Sequence, residues 1–297
     1  MQHRQGLSSD AHGASSKPLP AFLKGAGGDA PRPALVSLKG RLARLADFET
    51  TAWGGIPLGD PRIDSFLPPV GLPRGCVHEV CGAGLEAEIP ASAAGFAAML
   101  ARKLTRQGAT VWALSRPDIY APGLQSLGLT PDRLIFVRTR SDAETFAVLE
   151  DALRTRGVDC AIGEAAVVSL VAGKRLQLAC ESAGGAAIVL RRQSHAPRTT
   201  RKDPTTAATR WAIGPAPAAP DGAGLGALRW RTVLQRCRGG RTGAWILEAC
   251  DETGDVRVVE ELADHAPGTV SGERPESRRP GARDGGDDRQ RTASVGG

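Results

Sequence analysis

The sequence predicts an α/β protein: a mainly parallel sheet flanked by helices, with antiparallel strands added at one edge. Three observations carry that expectation. Between residues 56 and 192 short apolar runs alternate with helical patterns, a spacing that pairs strands in parallel through right-handed crossovers. Beyond Thr206 the texture changes to short β-runs joined by glycine-containing turns, Gly239-Gly240 among them. Both ends of the chain are poor in core-forming residues, which confines the core to the middle of the 297 residues.

Residues 1–32, rich in Gly, Ser, Pro and Ala, are expected to be disordered. Residues 33–50 read as an amphipathic helix in which Leu35, Leu38, Leu42 and Leu45 form one stripe. That stripe either packs on its own domain or docks onto another protein. Residues 51–265 form the expected domain. The tail 266–297 is again expected to be unstructured, and no internal repeat is visible.

Within the domain, "RGCVHEVCG" reads as a first strand ending in glycine, followed by a helix through Phe96, Met99, Leu100 and Leu104. "ATVWALS" and "DRLIFVRT" are the second and third strands. Ser141-Asp142-Ala143-Glu144 is a capping box, in which the end side chains satisfy free backbone N–H groups. It opens a helix carrying Phe146, Leu149 and Leu153. "VDCAIGE" is the fourth strand, and a helix through Leu170, Leu176 and Leu178 leads to the fifth, "GAAIVLRR". The runs "TRWAIGPAP", "LRWRTVLQRCR", "GAWILEAC" and "DVRVVEEL" are expected to extend the sheet as antiparallel strands.

The formal net charge is +6, from 38 basic and 32 acidic residues, which fits acidic protein or nucleic-acid partners without demanding either. Six cysteines lie scattered in apolar surroundings with no C-x-x-C pair, and the five histidines are isolated. Buried reduced thiols in a cytoplasmic protein are expected, and a zinc site is not. The N-terminus lacks the apolar run of a signal peptide, and no stretch is long enough to span a membrane.

The strand–loop–helix between Glu79 and Leu104 has the frame of a phosphate-binding loop, whose pattern is G-x-x-x-x-G-K-[ST]. Gly82 and Gly84 stand at its front, but the Lys and the hydroxyl at the helix start are missing. Glu86 and Glu88 put negative charge where a triphosphate would sit, and Pro90 removes an N–H donor. Two uncompensated carboxylates beside a phosphate cost on the order of a few kcal/mol. Lys103 lies about three helical turns along, out of reach of such a loop. Neither ATP hydrolysis nor any cofactor is expected.

Pro57–Gly82 resembles the segment leading into the RecA nucleotide loop: Leu-Gly-x-x-x-x-Asp, then Gly-Leu-Pro-x-Gly, then a strand. The resemblance covers roughly residues 56–192 and implies a RecA-like core. RecA proteins place a water-positioning acid after the second strand, where this chain has Ala113 to Ser115 and no acid until Asp118. For the Mg²⁺-side acid the match is Glu164, which reads equally as an ordinary strand-end carboxylate. The closer similarity is to the ImuA family, on "PDIYAPGLQSLGL", "ATRWAI" and "RWRTVLQRCRGGRTGAWILE", the Arg-Cys-Arg-Gly-Gly-Arg stretch being most specific. That resemblance implies an accessory of SOS-induced translesion synthesis, working beside ImuB, a Y-family polymerase homologue, and an error-prone DnaE-type polymerase, with RecA a further partner. It also implies a cytoplasmic protein associated with the nucleoid after DNA damage. A RecA-family ATPase with a divergent loop and a SulA-like division inhibitor are the alternatives.

Two basic clusters accompany these motifs. Arg191, Arg192, Arg198, Arg201, Lys202 and Arg210 follow the fifth strand, where RecA proteins carry a DNA-binding loop. They read either as a solvated loop or as contacts to the phosphates of single-stranded DNA. Arg236, Arg238 and Arg241 lie with Arg229, Arg231, Trp230 and Trp245. Alternation puts Trp230 and Leu234 on one face of their strand and Arg229 and Arg231 on the other. The cluster is then a core with a solvated back, or a partner-binding face.

Overall fold

The computed structural model describes residues 53–83, 90–192, 204–218, 226–250 and 253–262. Both tails and the 33–50 helix, with Leu35, Leu38, Leu42 and Leu45, lie outside them. The continuous apolar runs of the sequence become five parallel strands, four of them buried on both faces and the fifth, at the sheet edge, largely exposed. These are β3 (Val77–Gly82), β4 (Ala109–Leu114), β5 (Leu134–Arg138), β6 (Val158–Ala165) and β7 (Ala186–Arg191). Three helices join them: α2 (Pro90–Leu104), α4 (Asp142–Arg154) and α5 (Leu170–Ala183). A two-stranded ribbon, β1 (Gly55–Ile56) with β2 (Leu72–Pro73), precedes β3 and encloses the short α1 (Pro61–Asp64). A one-turn α3 (Ala121–Gln125) follows β4.

Beyond β7 come β8 (Thr209–Pro215), β9 (Arg229–Cys237), β10 (Gly243–Ala249) and β11 (Val256–Glu261). The nine-stranded sheet runs β11-β10-β9-β8-β3-β7-β6-β4-β5. This is the expected α/β architecture, with one correction: β8 pairs parallel to β3, and the antiparallel wing starts at β9. The chain between β7 and β8 supplies the dozen or more residues that a crossover back to the start of the sheet requires.

Alternate residues of each strand feed two cores. Val80, Trp112, Ile162, Ile188, Leu190 and Ile213 pack under α2, which buries Phe96, Met99, Leu100 and Leu104. Val77, Ala113, Ala161, Ala187 and Val189 pack under α4 and α5 with Phe146, Leu149 and Leu153. Of the three leucines expected to anchor α5, only Leu176 is buried. Leu170 and Leu178 are exposed, and the inner face is Gly173, Leu176, Ala179 and Cys180. Ser141 caps α4 by accepting from the Glu144 N–H at 3.2 Å, while the Glu144 carboxylate takes the Arg140 N–H at 2.8 Å. Cys250 is exposed, against expectation; Cys76, Cys81, Cys160 and Cys180 are buried. No helix among the described residues is long and apolar enough to cross a membrane.

Candidate functional site

Ligands of open parallel sheets bind at the carboxyl ends of the strands. Here that end carries Gly82 on β3, Glu164 on β6, Arg191 on β7 and the residues just after β4. Gly84, Glu86 and Glu88 lie outside the described residues, whereas Gly82 closes β3 and Ala83 donates its N–H to the Ile213 carbonyl at 2.7 Å. Lys103 belongs to the opposite end of α2, where it pairs with Asp255 at 2.5 Å.

Glu164 shares a sheet face with Trp112, because β4 and β6 run in parallel register with Trp112 beside Ile162. Its carboxyl group is fully buried and meets the Arg192 guanidinium at 3.3 Å. The same Arg192 nitrogen donates to both oxygens of Asp118, at 2.8 and 2.9 Å. Arg116 approaches Asp118 at 3.8 Å. The Ser115 amide and the Trp112 indole N–H face Glu164 without closing a well-formed hydrogen bond. Burial pushes the Glu164 pKa up; the Arg192 charge opposes the shift, and Asp118 adds to it. Asp118, Glu164 and Arg192 are thus one cluster, drawn from the end of β6 and from the segments that follow β4 and β7. Each of the three is noticeable in the sequence by itself, but nothing local indicates that they meet.

Among the described residues, most of the expected basic cluster is engaged by the chain's own acids and carbonyls. Arg210 is a correction: it is 1% exposed and its Nε donates to Glu79 Oε2 at 2.7 Å, across the β3–β8 register. Thr205 adds a hydroxyl hydrogen bond to the same carboxylate. Arg191 donates to the Ala166 carbonyl at 3.1 Å. Arg198, Arg201 and Lys202 lie outside the described residues.

Trp230 and Leu234 are buried on one face of β9, as the alternation predicts. Arg236 donates to the Ala207 carbonyl at 3.1 Å and Arg238 to the Thr206 carbonyl at 2.9 Å. Desolvation, then repulsion from Arg238 and Arg210, lowers the Arg236 pKa. Arg241 lies 4.3 Å over the Phe66 ring and donates to the Ser65 carbonyl at 3.1 Å. The Arg-Cys-Arg-Gly-Gly-Arg stretch therefore forms the β9–β10 hairpin and clamps it onto residues 65–67. Gly239 turns with φ +74°, and a Cβ on Gly240 would stand 2.3 Å from the Phe66 carbonyl oxygen.

Among the described residues no three His, Cys, Asp or Glu side chains gather as a metal site would require. Fold and site together define a helix-covered, mainly parallel α/β protein whose strand-end acid is held by the chain's own arginine. Protein ImuA from each of two strains of Caulobacter vibrioides is 49% identical to the chain over 222 residues, covering 71% of this chain and 91% of the relative. The chain belongs to the ImuA family. No protein-family model matches it.

Proposed function

We propose that this protein is a non-catalytic accessory of mutagenic translesion DNA synthesis in the SOS response. In this reading it is an adaptor beside an ImuB-like Y-family polymerase homologue and an error-prone DnaE-type polymerase, with RecA as a further contact. It works in the cytoplasm and joins the nucleoid after damage. Membership of the ImuA family supports the biological setting.

One observation carries the non-catalytic half. Arg192 sits between Glu164 and Asp118, so the acid that would face Mg²⁺ in a nucleotide-hydrolysing relative already has a cation from the protein. Seating Mg²⁺-ATP there requires Arg192 to give up its contacts with both carboxylates before the metal can take its place. The expected outcome is a melting temperature that Mg²⁺-ATP does not change, measured by thermal shift on the full chain. A clear rise with Mg²⁺-ATP would sink the non-catalytic reading. Co-purification from damaged cells, with nuclease treatment, tests the adaptor half independently, and recovery of no polymerase-class partner counts against it.

A further inference from the structure

The opposite end of the sheet holds a cationic cavity. Its volume is about 310 Å³, and it lies between the last turn of α2 and the 128–133 loop before β5. Arg102, Thr105 and Arg106 face it from α2 and the residues just beyond, a spacing of three and four that shares one helical side. Thr110 contributes from the start of β4, and Leu129, Thr130 and Arg133 from the loop. The lining charges are Arg102, Arg106 and Arg133 against Asp132, three minus one, leaving +2.

Several features prepare this end for an anion. A helix C-terminus ordinarily repels negative charge. Here Arg74 covers it, donating to the carbonyls of Leu104 at 3.3 Å and Lys103 at 3.4 Å. The turn that carries Arg106 is fixed, because one oxygen of Asp159 accepts the N–H groups of Arg106, Gln107 and Gly108 at 2.8, 3.0 and 2.7 Å. Thr105 and Thr110 form the wall, their hydroxyl oxygens 3.0 Å apart and both buried. One hydroxyl donates to the other, which leaves the second proton for an acceptor in the cavity. Asp132 is the one opposing charge in the lining, and it is engaged: Thr130 hydrogen-bonds it and Arg133 stands 3.6 Å away, which together hold its carboxyl below the usual range.

We propose that this cavity is a phosphate-binding site, taking a phosphoester group of a free nucleotide or of the 5′ end of a nucleic-acid strand. Guanidinium forks match phosphate oxygens in pairs, and the volume lies at the small end of ligand pockets, the size of a pyrophosphate or mononucleotide. The site stands apart from the adaptor reading and from the Glu164 cluster, which occupies the other end of the parallel strands.

The test uses the full chain at low salt, with three probes: inorganic pyrophosphate, a fluorescein-labelled single strand bearing a 5′-phosphate, and the same strand with a 5′-hydroxyl. Arg106 and Arg133 are exposed, so Arg106→Gln with Arg133→Gln leaves the fold intact, and an unchanged melting temperature checks this. Arg140→Gln with Lys174→Gln, two exposed residues outside the cavity lining, is the control for loss of two positive charges. The expected result is binding that the double variant weakens at least tenfold and the control leaves within twofold. Tighter binding of the 5′-phosphate strand than of the 5′-hydroxyl strand assigns the site to strand ends. Pyrophosphate binding with no preference between the strands assigns it to free phosphate compounds. No binding of any probe by the wild type, or equal binding by wild type and double variant, overturns the proposal.

Discussion

The pair between Glu79 and Arg210 gives the sharpest stability test. Both side chains are no more than 2% exposed, and they meet at 2.7 Å between the central strands β3 and β8. Arg210→Met removes the cation that meets Glu79 and leaves that carboxylate buried with the Thr205 hydroxyl and the more distant Arg236 charge. Removing one partner of such a pair costs about 3–5 kcal/mol, because the remaining charge keeps its desolvation penalty and loses its counter-charge. With an m-value of about 2 kcal/mol per molar or more, the urea midpoint falls by up to roughly 2.5 M. Replacing both partners, Glu79→Leu with Arg210→Met, removes both penalties together, so the double variant lies within about 1 kcal/mol of wild type or above it. Buried Trp112, Trp211, Trp230 and Trp245 make tryptophan fluorescence a direct readout of unfolding. If Arg210→Met costs less than about 1 kcal/mol, or the double variant is as unstable as the sum of the two singles, Glu79 and Arg210 are not energetically coupled.

Two further outcomes are expected. His78 is fully buried; its Nε2–H donates to the Pro73 carbonyl at 3.0 Å, and its Nδ1 accepts from Thr209, which itself accepts from the Trp211 indole N–H. Burial lowers its pKa from 6.5 to about 4. The unfolded chain therefore binds the proton first, and stability present above pH 6.5 is lost as pH falls towards 4. The loss is about 3 kcal/mol, from 2.5 units at 1.36 kcal/mol each. Urea titrations from pH 7 to 4 should show this slope in wild type and not in His78→Gln; parallel slopes would count against it. Asp60, held down to about 2 chiefly by its hydrogen bond from Arg62, contributes stability that is full above its ordinary 3.8 and is lost only as pH falls from there towards 2, below this window. At the β9–β10 hairpin, Gly240→Ala should cost about 1–3 kcal/mol, because the added methyl meets the Phe66 carbonyl and the Cys237 sulfur at 2.3 and 2.6 Å. An unchanged melting temperature would mean that the hairpin yields.

The parallel core was legible because its strands are short apolar runs, which need no knowledge of their neighbours. The same holds for α4, whose Ser141 cap and Phe146, Leu149, Leu153 stripe are local signals. What sequence reading missed depends on pairing. The direction of β8 is set by the crossover from β7 and by its place beside β3, and an apolar run carries no direction. On α5, Leu170 and Leu178 are hydrophobic yet exposed, because small residues (Gly173 and Ala179) let the helix approach the sheet closely. The candidate site was half legible. Glu164 stood out as a strand-end acid, but its partner Arg192 is 28 residues further on and Asp118 a further connection away, so the cluster exists only once β4, β6 and β7 are laid side by side.

The fate of the arginines bears on how the chain's basicity is to be understood. Arg192 bridges two acids, Arg210 closes a buried pair, and Arg236, Arg238 and Arg241 each donate to a backbone carbonyl of a neighbouring segment. These are tasks for a planar, multidonor group that stays charged when partly desolvated, which a lysine ammonium does poorly. The excess of arginine over lysine therefore has a structural use here, whatever its origin. It follows that the two basic clusters of the sequence cannot be counted at face value as a nucleic-acid footprint. Donors engaged by the chain's own carbonyls and carboxylates must break those contacts before they can hold a phosphate. Arg106 and Arg133 differ in that they converge on a cavity, and the one carboxylate that Arg133 approaches, Asp132 at 3.6 Å, is exposed and weakly held.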